Sequence, residues 1–168
     1  IGVRLVGSEM CIREEIYGNY SRDITTPYSG NAEDLNRYLK GKGVLSGQGQ
    51  AFIDAQNKYG ISAAVLAGIA ISESGGTSSL ARKRFNVTSI SSSRGWRRFN
   101  NVSECIDYTA SMLANRYVKN SGLSGVSLKT LYQINAKYCP VSDTRNNSSN
   151  NRFWAQNVEN KVREIEKA

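Results

Sequence analysis

Glu73 ends a run of small and apolar residues, Ala64-Val65-Leu66-Ala67-Gly68-Ile69-Ala70-Ile71-Ser72, and Gly75-Gly76 follow it almost at once. This composition predicts a buried helix that delivers one carboxyl at its C-terminal end, beside a mobile polar loop. Burial there disfavours the charged carboxylate, and the carbonyl dipoles of the last helical turn act in the same sense. A carboxyl kept protonated near neutral pH is suited to general-acid catalysis of glycoside cleavage. From Ala55 to Ser103 the chain holds no other Asp or Glu, so the sequence isolates a single candidate acid in its middle third. A lone Glu at a helix end is ordinarily a solvated surface residue. The apolar lead-in, the Gly-Gly exit and the basic, aromatic segment that follows favour chemistry instead.

The chain has no His, which excludes Ser-His-Asp triads, Cys-His pairs, His-containing zinc sites and His acid–base catalysis. Phosphate-cradling and nucleophile-elbow glycine motifs are missing as well. Hydrolysis by this chain must rest on carboxylates, helped by Tyr, Asn or the substrate itself, with no cofactor and no metal expected. Cys11, Cys105 and Cys139 lack metal-ligand spacing. Buried free thiols are the default reading, and a Cys105–Cys139 bridge is an alternative that spacing does not support.

The elements that must position Glu73 follow from periodicity. Residues 1–30 read as an arm or lead-in, with a short helix near Glu9 to Tyr17 and turns around Pro27. Residues 31–168 read as one catalytic domain. Helices are expected at Ala32 to Leu39, Gln50 to Tyr59 (ended by Gly60), Ser62-capped to about Ser74, Val102 to Val118 with Ser103 as cap, Leu128 to Tyr138, and Phe153 to Ala168. Phe85 to Ile90 and Gly95 to Phe99 look like short strands around a Ser-rich turn, and Ser142 to Asn151 like a polar loop. The fold class is therefore α+β and mostly α: a helical body with a small β-like or irregular lobe, and a cleft between them with Glu73 on its floor. The longest apolar stretch, Val65 to Ile71, is far too short to span a bilayer.

The ordered set Tyr28-Ser29-Gly30, Leu45-Ser46-Gly47-Gln48-Gly49-Gln50-Ala51-Phe52, Tyr59-Gly60-Ile61, Glu73-Ser74-Gly75-Gly76-Thr77-Ser78-Ser79-Leu80-Ala81 and Tyr138-Cys139-Pro140 resembles the bacterial and phage endo-β-N-acetylglucosaminidases of glycoside hydrolase family 73, in the lysozyme-like superfamily. The similarity covers roughly residues 28–160. It implies a lysozyme-like fold that cuts the glycan strands of peptidoglycan at a β-1,4 bond, with Glu73 matching the general acid, Phe85-Asn86 an aromatic-Asn element and Tyr138 a tyrosine near the cleft. Many members carry a second acid in the lobe, and here Phe85 to Asn101 has none. Glu104 is the nearest later candidate, although an acid at a helix start also serves the helix dipole, and Asp143 is weaker still. Phe85, Trp96 and Tyr138 would offer aromatic faces to sugar rings, with Asn86 and Ser89 bonding the acetamido group. Phe99 and Trp154 are expected in the core.

The net charge of +8, clustered at Arg82-Lys83-Arg84 and at Arg94, Arg97 and Arg98, favours an anionic partner. Anionic wall polymers fit that charge beside the glycan strands. Nucleic acid ranks low because the basic residues share no single helix, and no membrane partner is expected. The leading reading is an extracellular, wall-associated or phage-borne hydrolase acting as a monomer. Its alternatives are a lytic transglycosylase or muramidase acting on the other glycosidic bond and, in a different class, a non-catalytic wall-binding module.

Overall fold

A computed structural model describes residues 22–119, 127–138 and 153–168. The expected helix near Glu9 to Tyr17, the polar loop at Ser142 to Asn151, Asp143, Cys11 and Cys139 lie outside the described residues. Among the described residues seven α-helices carry the fold: α1 (Ala32–Leu39), α2 (Gly49–Tyr59), α3 (Ala63–Ser74), α4 (Ser79–Arg84), α5 (Val102–Met112), α6 (Leu131–Tyr138) and α7 (Trp154–Lys167). A π-helical segment, Leu113–Lys119, continues α5, and a 3-10 turn forms at Gly43–Leu45. The one sheet among the described residues is a hairpin of β1 (Ser91–Ser92) and β2 (Gly95–Trp96), antiparallel, with Ser91 opposite Trp96 and Ser92 opposite Gly95. The architecture is the expected mostly helical body with a small lobe.

Helix α3 is the central element. Ser62 caps it by accepting from the Val65 N–H, and every residue from Ala63 to Ala70 is buried. A helix apolar on all sides has no solvent face and must be surrounded. Helix α7 packs along it more extensively than any other pair of elements pack, while α2 lies against α5 and α1. Gly68 makes the α3–α7 approach close. A Cβ there would sit 3.1 Å from Val162 Cγ2 and 3.2 Å from the Val158 carbonyl oxygen. Glycine weakens a helix interior by about 1 kcal/mol relative to alanine, and the packing it admits offsets that loss.

The other end of α7 is tied to residue 22. The guanidinium of Arg22 makes paired bonds to the carboxylates of Glu159 and Glu166, at 2.7 to 3.1 Å, and Arg163 donates to Glu159 at 2.9 Å. Glu159 is buried, so these bonds satisfy a charge that would otherwise be costly. Ile24 is fully buried, and its backbone joins Lys129 and Ser62. The stretch from residue 22 to 30, read from sequence as part of a lead-in, is thus bonded into the helical body.

Sequence and structure differ most between α3 and α5. A helix, α4, occupies Ser79–Arg84 where no element was expected. Phe85 to Ile90 is not a strand, because Phe85 ends α4 in the left-handed region (φ 52°) and Asn86 turns the chain through side-chain bonds. The cap of α5 is Asn101 rather than Ser103, accepting from the Glu104 N–H at 2.8 Å. Nor is the Gly-Gly exit of α3 a loose loop. Gly75 closes the helix through a bond to Ile71, and the Gly76 carbonyl accepts from Val44 N–H at 3.0 Å. A Cβ on Gly76 would lie 2.0 Å from the Lys42 carbonyl oxygen, so only glycine admits this contact.

The α3–α7 seam yields a stability prediction. Gly68→Leu forces a branched side chain into a filled seam and is expected to destabilise the fold by about 1–3 kcal/mol. A urea midpoint equal to that of the parent would show that the helices do not approach this closely.

Candidate active site

Glu73 is the penultimate residue of α3, half-buried where the helical body meets the lobe. Two elements far away in sequence converge on it. Trp154, the first residue of α7, donates from Nε1 to Glu73 Oε1 at 2.7 Å. From the lobe, the Ser89 side chain also bonds the carboxyl. Desolvation raises the Glu73 pKa above the ordinary carboxyl value, and the bonds from Trp154 and Ser89 pull it part of the way back. The group is poised to hold a proton yet has donors ready for its anion.

Each contact has a local cause. The antiparallel packing of α7 on α3 places Trp154 one turn beyond Val158, as Glu73 lies beyond Gly68. Asn135 of α6 pins the start of α7 by accepting from the Ala155 N–H at 2.9 Å. Trp154 is 5% exposed, so its ring is fixed by packing. Ser89 has φ 56°, a conformation that costs a non-glycine residue roughly 1–3 kcal/mol. The next residue is held by Asn86, whose Oδ1 accepts from the Ile90 N–H at 2.8 Å.

The other sequence candidates divide. Asn86 is fully buried, and its Nδ2 donates to the carbonyls of Ile90 (2.8 Å) and Arg97 (2.9 Å). It therefore builds the lobe from inside and does not reach a bound sugar, which corrects the expectation that it bonds an acetamido group. Ser89, expected on the sugar, is engaged with the acid itself. Trp96 is 46% exposed on β2 and can offer a ring face. Phe85 is half-buried against the core, Phe99 is buried as expected, and Tyr138 ends α6 with its side chain outside what is described. Glu104, in the first turn of α5, accepts from the Asn100 N–H at 2.7 Å, just ahead of the Asn101 cap. Asp107 binds Lys58 Nζ and the Tyr59 hydroxyl, both at 2.8 Å. Both carboxylates thus hold structural partners. Sequence reasoning assigned Trp154 to the core and missed its bond to Glu73. The one available signal was an indole, which needs a partner when buried.

The raised pKa fixes a sign. The folded chain binds a proton at Glu73 more readily than the unfolded chain does. Its contribution to stability is present below the ordinary value of 4.5 and is lost as pH rises through the folded value. Glu73→Gln removes that loss while keeping an oxygen for Trp154. At about pH 7 the variant should melt above the parent, and the gap should close toward about pH 4. A gap independent of pH would contradict this account.

The family model described as glucosaminidase, mannosyl-glycoprotein endo-beta-N-acetylglucosaminidase, matches residues 49–167. A bifunctional autolysin of Staphylococcus epidermidis is 37% identical over 107 residues, covering 62% of this chain and 8% of that protein. A bifunctional autolysin of Staphylococcus aureus is 35% identical over the same length, again covering 62% of this chain and 8% of that protein. The chain thus corresponds to only a small part of these relatives. Among solved structures, the chain is similar to S. aureus Autolysin E, with TM-score 0.68 and 22% identity, covering 98% of this chain and 79% of that one. A catalytic mutant of Autolysin E in complex with the disaccharide NAG-NAM aligns with TM-score 0.69 and 23% identity, over 89% of this chain and 72% of that one. At these identities the structural likeness establishes a shared fold.

Proposed function

The chain belongs to the glucosaminidase family of glycoside hydrolases, and from that premise we propose that it cleaves peptidoglycan glycan strands at the β-1,4 bond between N-acetylglucosamine and N-acetylmuramic acid. The observation that carries this reading is the Glu73 carboxyl, half-buried at the end of an apolar helix and held between α7 and the lobe. Glu73 gives its proton to the glycosidic oxygen as the C1–O bond breaks and the bonding electrons pass to that oxygen. The resulting carboxylate then takes a proton from the group that attacks C1 in the second step.

The lobe segment 79–100 contains no Asp or Glu, and the exposed Glu104 carboxylate holds the Asn100 N–H just ahead of α5. These observations support a mechanism in which the substrate's own 2-acetamido oxygen attacks C1 and water opens the resulting ring. A transglycosylase would instead use a muramic acid hydroxyl and release an anhydro sugar. Mass spectrometry of fragments released from purified walls distinguishes the two, and the reducing-end sugar identifies the bond. Glu73→Gln should lower cleavage at least about 10²-fold with the fold intact, whereas Glu104→Gln should cost only a few-fold. A loss with Glu104→Gln equal to that with Glu73→Gln, in folded protein, would make Glu104 a direct participant. A non-catalytic wall-binding module would show binding but no fragments from the parent.

The action is proposed to be at the cell wall, and anionic wall polymers are proposed as a second contact. Residues 91–98 are all exposed, as are Arg82, Lys83 and Arg84. Arg84 and Arg98 each bond a backbone carbonyl, so Arg82 and Arg94 are the better test positions. Wall binding should weaken between about 50 and about 500 mM NaCl, since attraction at this range is screened within roughly 8 Å at physiological salt. Reversing Arg82 and Arg94 to Glu should mimic high salt on walls and spare cleavage of a short neutral oligosaccharide. Equal wall binding under all these conditions would leave the arginines as solubilising surface.

A further inference from the structure

We propose that Trp154 is a positioning residue that assigns the catalytic proton of Glu73 to Oε2. The inference rests on the reading of Glu73 as the acid and goes beyond it by naming the atom from which the proton leaves. An indole N–H only donates and cannot take a proton from its partner. At 2.7 Å its bond to Oε1 occupies that oxygen as an acceptor. In the protonated carboxyl the carbonyl oxygen is the better acceptor, so the hydroxyl is Oε2. Rotation of the carboxyl would exchange the two oxygens, and the fixed indole opposes it. Trp154 is buried at the first position of α7, whose start is pinned by Asn135 and whose next turns lie against Gly68.

The same bond strengthens when Glu73 becomes an anion, because hydrogen bonds to a charged acceptor are roughly twice as strong as neutral ones. Trp154 therefore does two things: it orients the acid, and it keeps burial from holding the proton too tightly. The direction of its influence on the Glu73 pKa, downward against the larger effect of desolvation, agrees with that role. A tryptophan that merely filled the core would do neither.

The chain has two tryptophans, and the exposed Trp96 serves as an internal control. In the unmodified protein the Trp154 indole N–H resonance should move with pH as Glu73 titrates, stay flat in Glu73→Gln, and differ from that of Trp96, identified with Trp96→Phe. In Trp154→Phe, kcat on a soluble oligosaccharide should fall roughly tenfold with KM little changed. The alkaline limb of its pH–rate profile should move upward, since the lost donor favoured the anion. An indole resonance flat with pH, or a folded Phe variant with the parent's pH profile, overturns the proposal. Because the resonance is read in the parent, the test survives a Phe variant that fails to fold. Retained activity in Glu73→Gln would instead defeat the functional reading, and the indole titration would still report the bond.

Discussion

The close approach of α3 and α7 is the constraint on which the rest of this structure depends. An all-apolar helix such as α3 is stable only when surrounded, and α7 is its principal cover. The absence of a side chain at Gly68 lets the covering helix settle against the backbone, with Val158 and Val162 in contact. That seam is a packing feature with a chemical consequence, because its end coincides with Glu73 and brings Trp154 within bonding distance. Core assembly and construction of the acid site are therefore one event. The burial that stabilises α3 raises the Glu73 pKa, and the helix that causes the burial also supplies the donor that moderates it.

The basic lobe follows a similar economy. With no acid between residues 79 and 100, its arginines cannot pair with carboxylates inside the lobe. They bond carbonyls and stack on rings instead. Arg84 reaches the Trp96 carbonyl at 2.9 Å, Arg98 reaches the Lys83 carbonyl at 2.8 Å, and Arg97 lies over the Tyr108 ring at 4.2 Å. Such contacts staple α4 to the hairpin, and among the described residues no carboxylate pairs with these arginines. A two-residue hairpin is not stable by itself. Asn86 from inside and the arginines from outside supply what the strands lack, and Thr88 anchors the lobe to α5 through Thr109 at 2.7 Å.

What could be read from sequence was what local rules determine. The limits of α1, the Ser62 cap, the Gly60 and Gly75 stops and the isolation of Glu73 all follow from periodicity, capping and left-handed glycines, and the structure has each of them. Three features were not legible, for distinct reasons. Helix α4 is six residues long and ends on Phe85 in a conformation that favours glycine, so neither its period nor its stop gave a signal. Asn86 resembled a ligand-facing amide because a buried turn and an exposed one share the same residue preferences. Trp154 lies 81 residues from Glu73, and no local pattern encodes a bond across the helical body. The general lesson is that residue type and local pattern placed Glu73 at the end of an apolar helix, whereas long-range packing determined its partners.

That division bears on how one carboxyl could serve both halves of the proposed glycan cleavage. A fully buried Glu without donors would hold its proton too tightly to give it up, and an exposed Glu would have lost it before substrate arrives. Glu73 lies between these limits because opposing influences act on it from different parts of the fold: desolvation by the body, an indole from α7 and a hydroxyl from the lobe. Ser89 is held in a strained backbone conformation to make its contribution, and Asn86 bears on that strain through Ile90. Glu104 and Asp107 stay with their own structural partners and leave the acid's surroundings free of a second negative charge from α5. A neighbouring carboxylate would have raised the Glu73 pKa further through like-charge repulsion. In the proposed mechanism the substrate's acetamido group, being neutral, would approach the reacting carbon without that effect, so a lobe free of acids from residue 79 to 100 and a substrate-supplied nucleophile fit the same electrostatic arrangement.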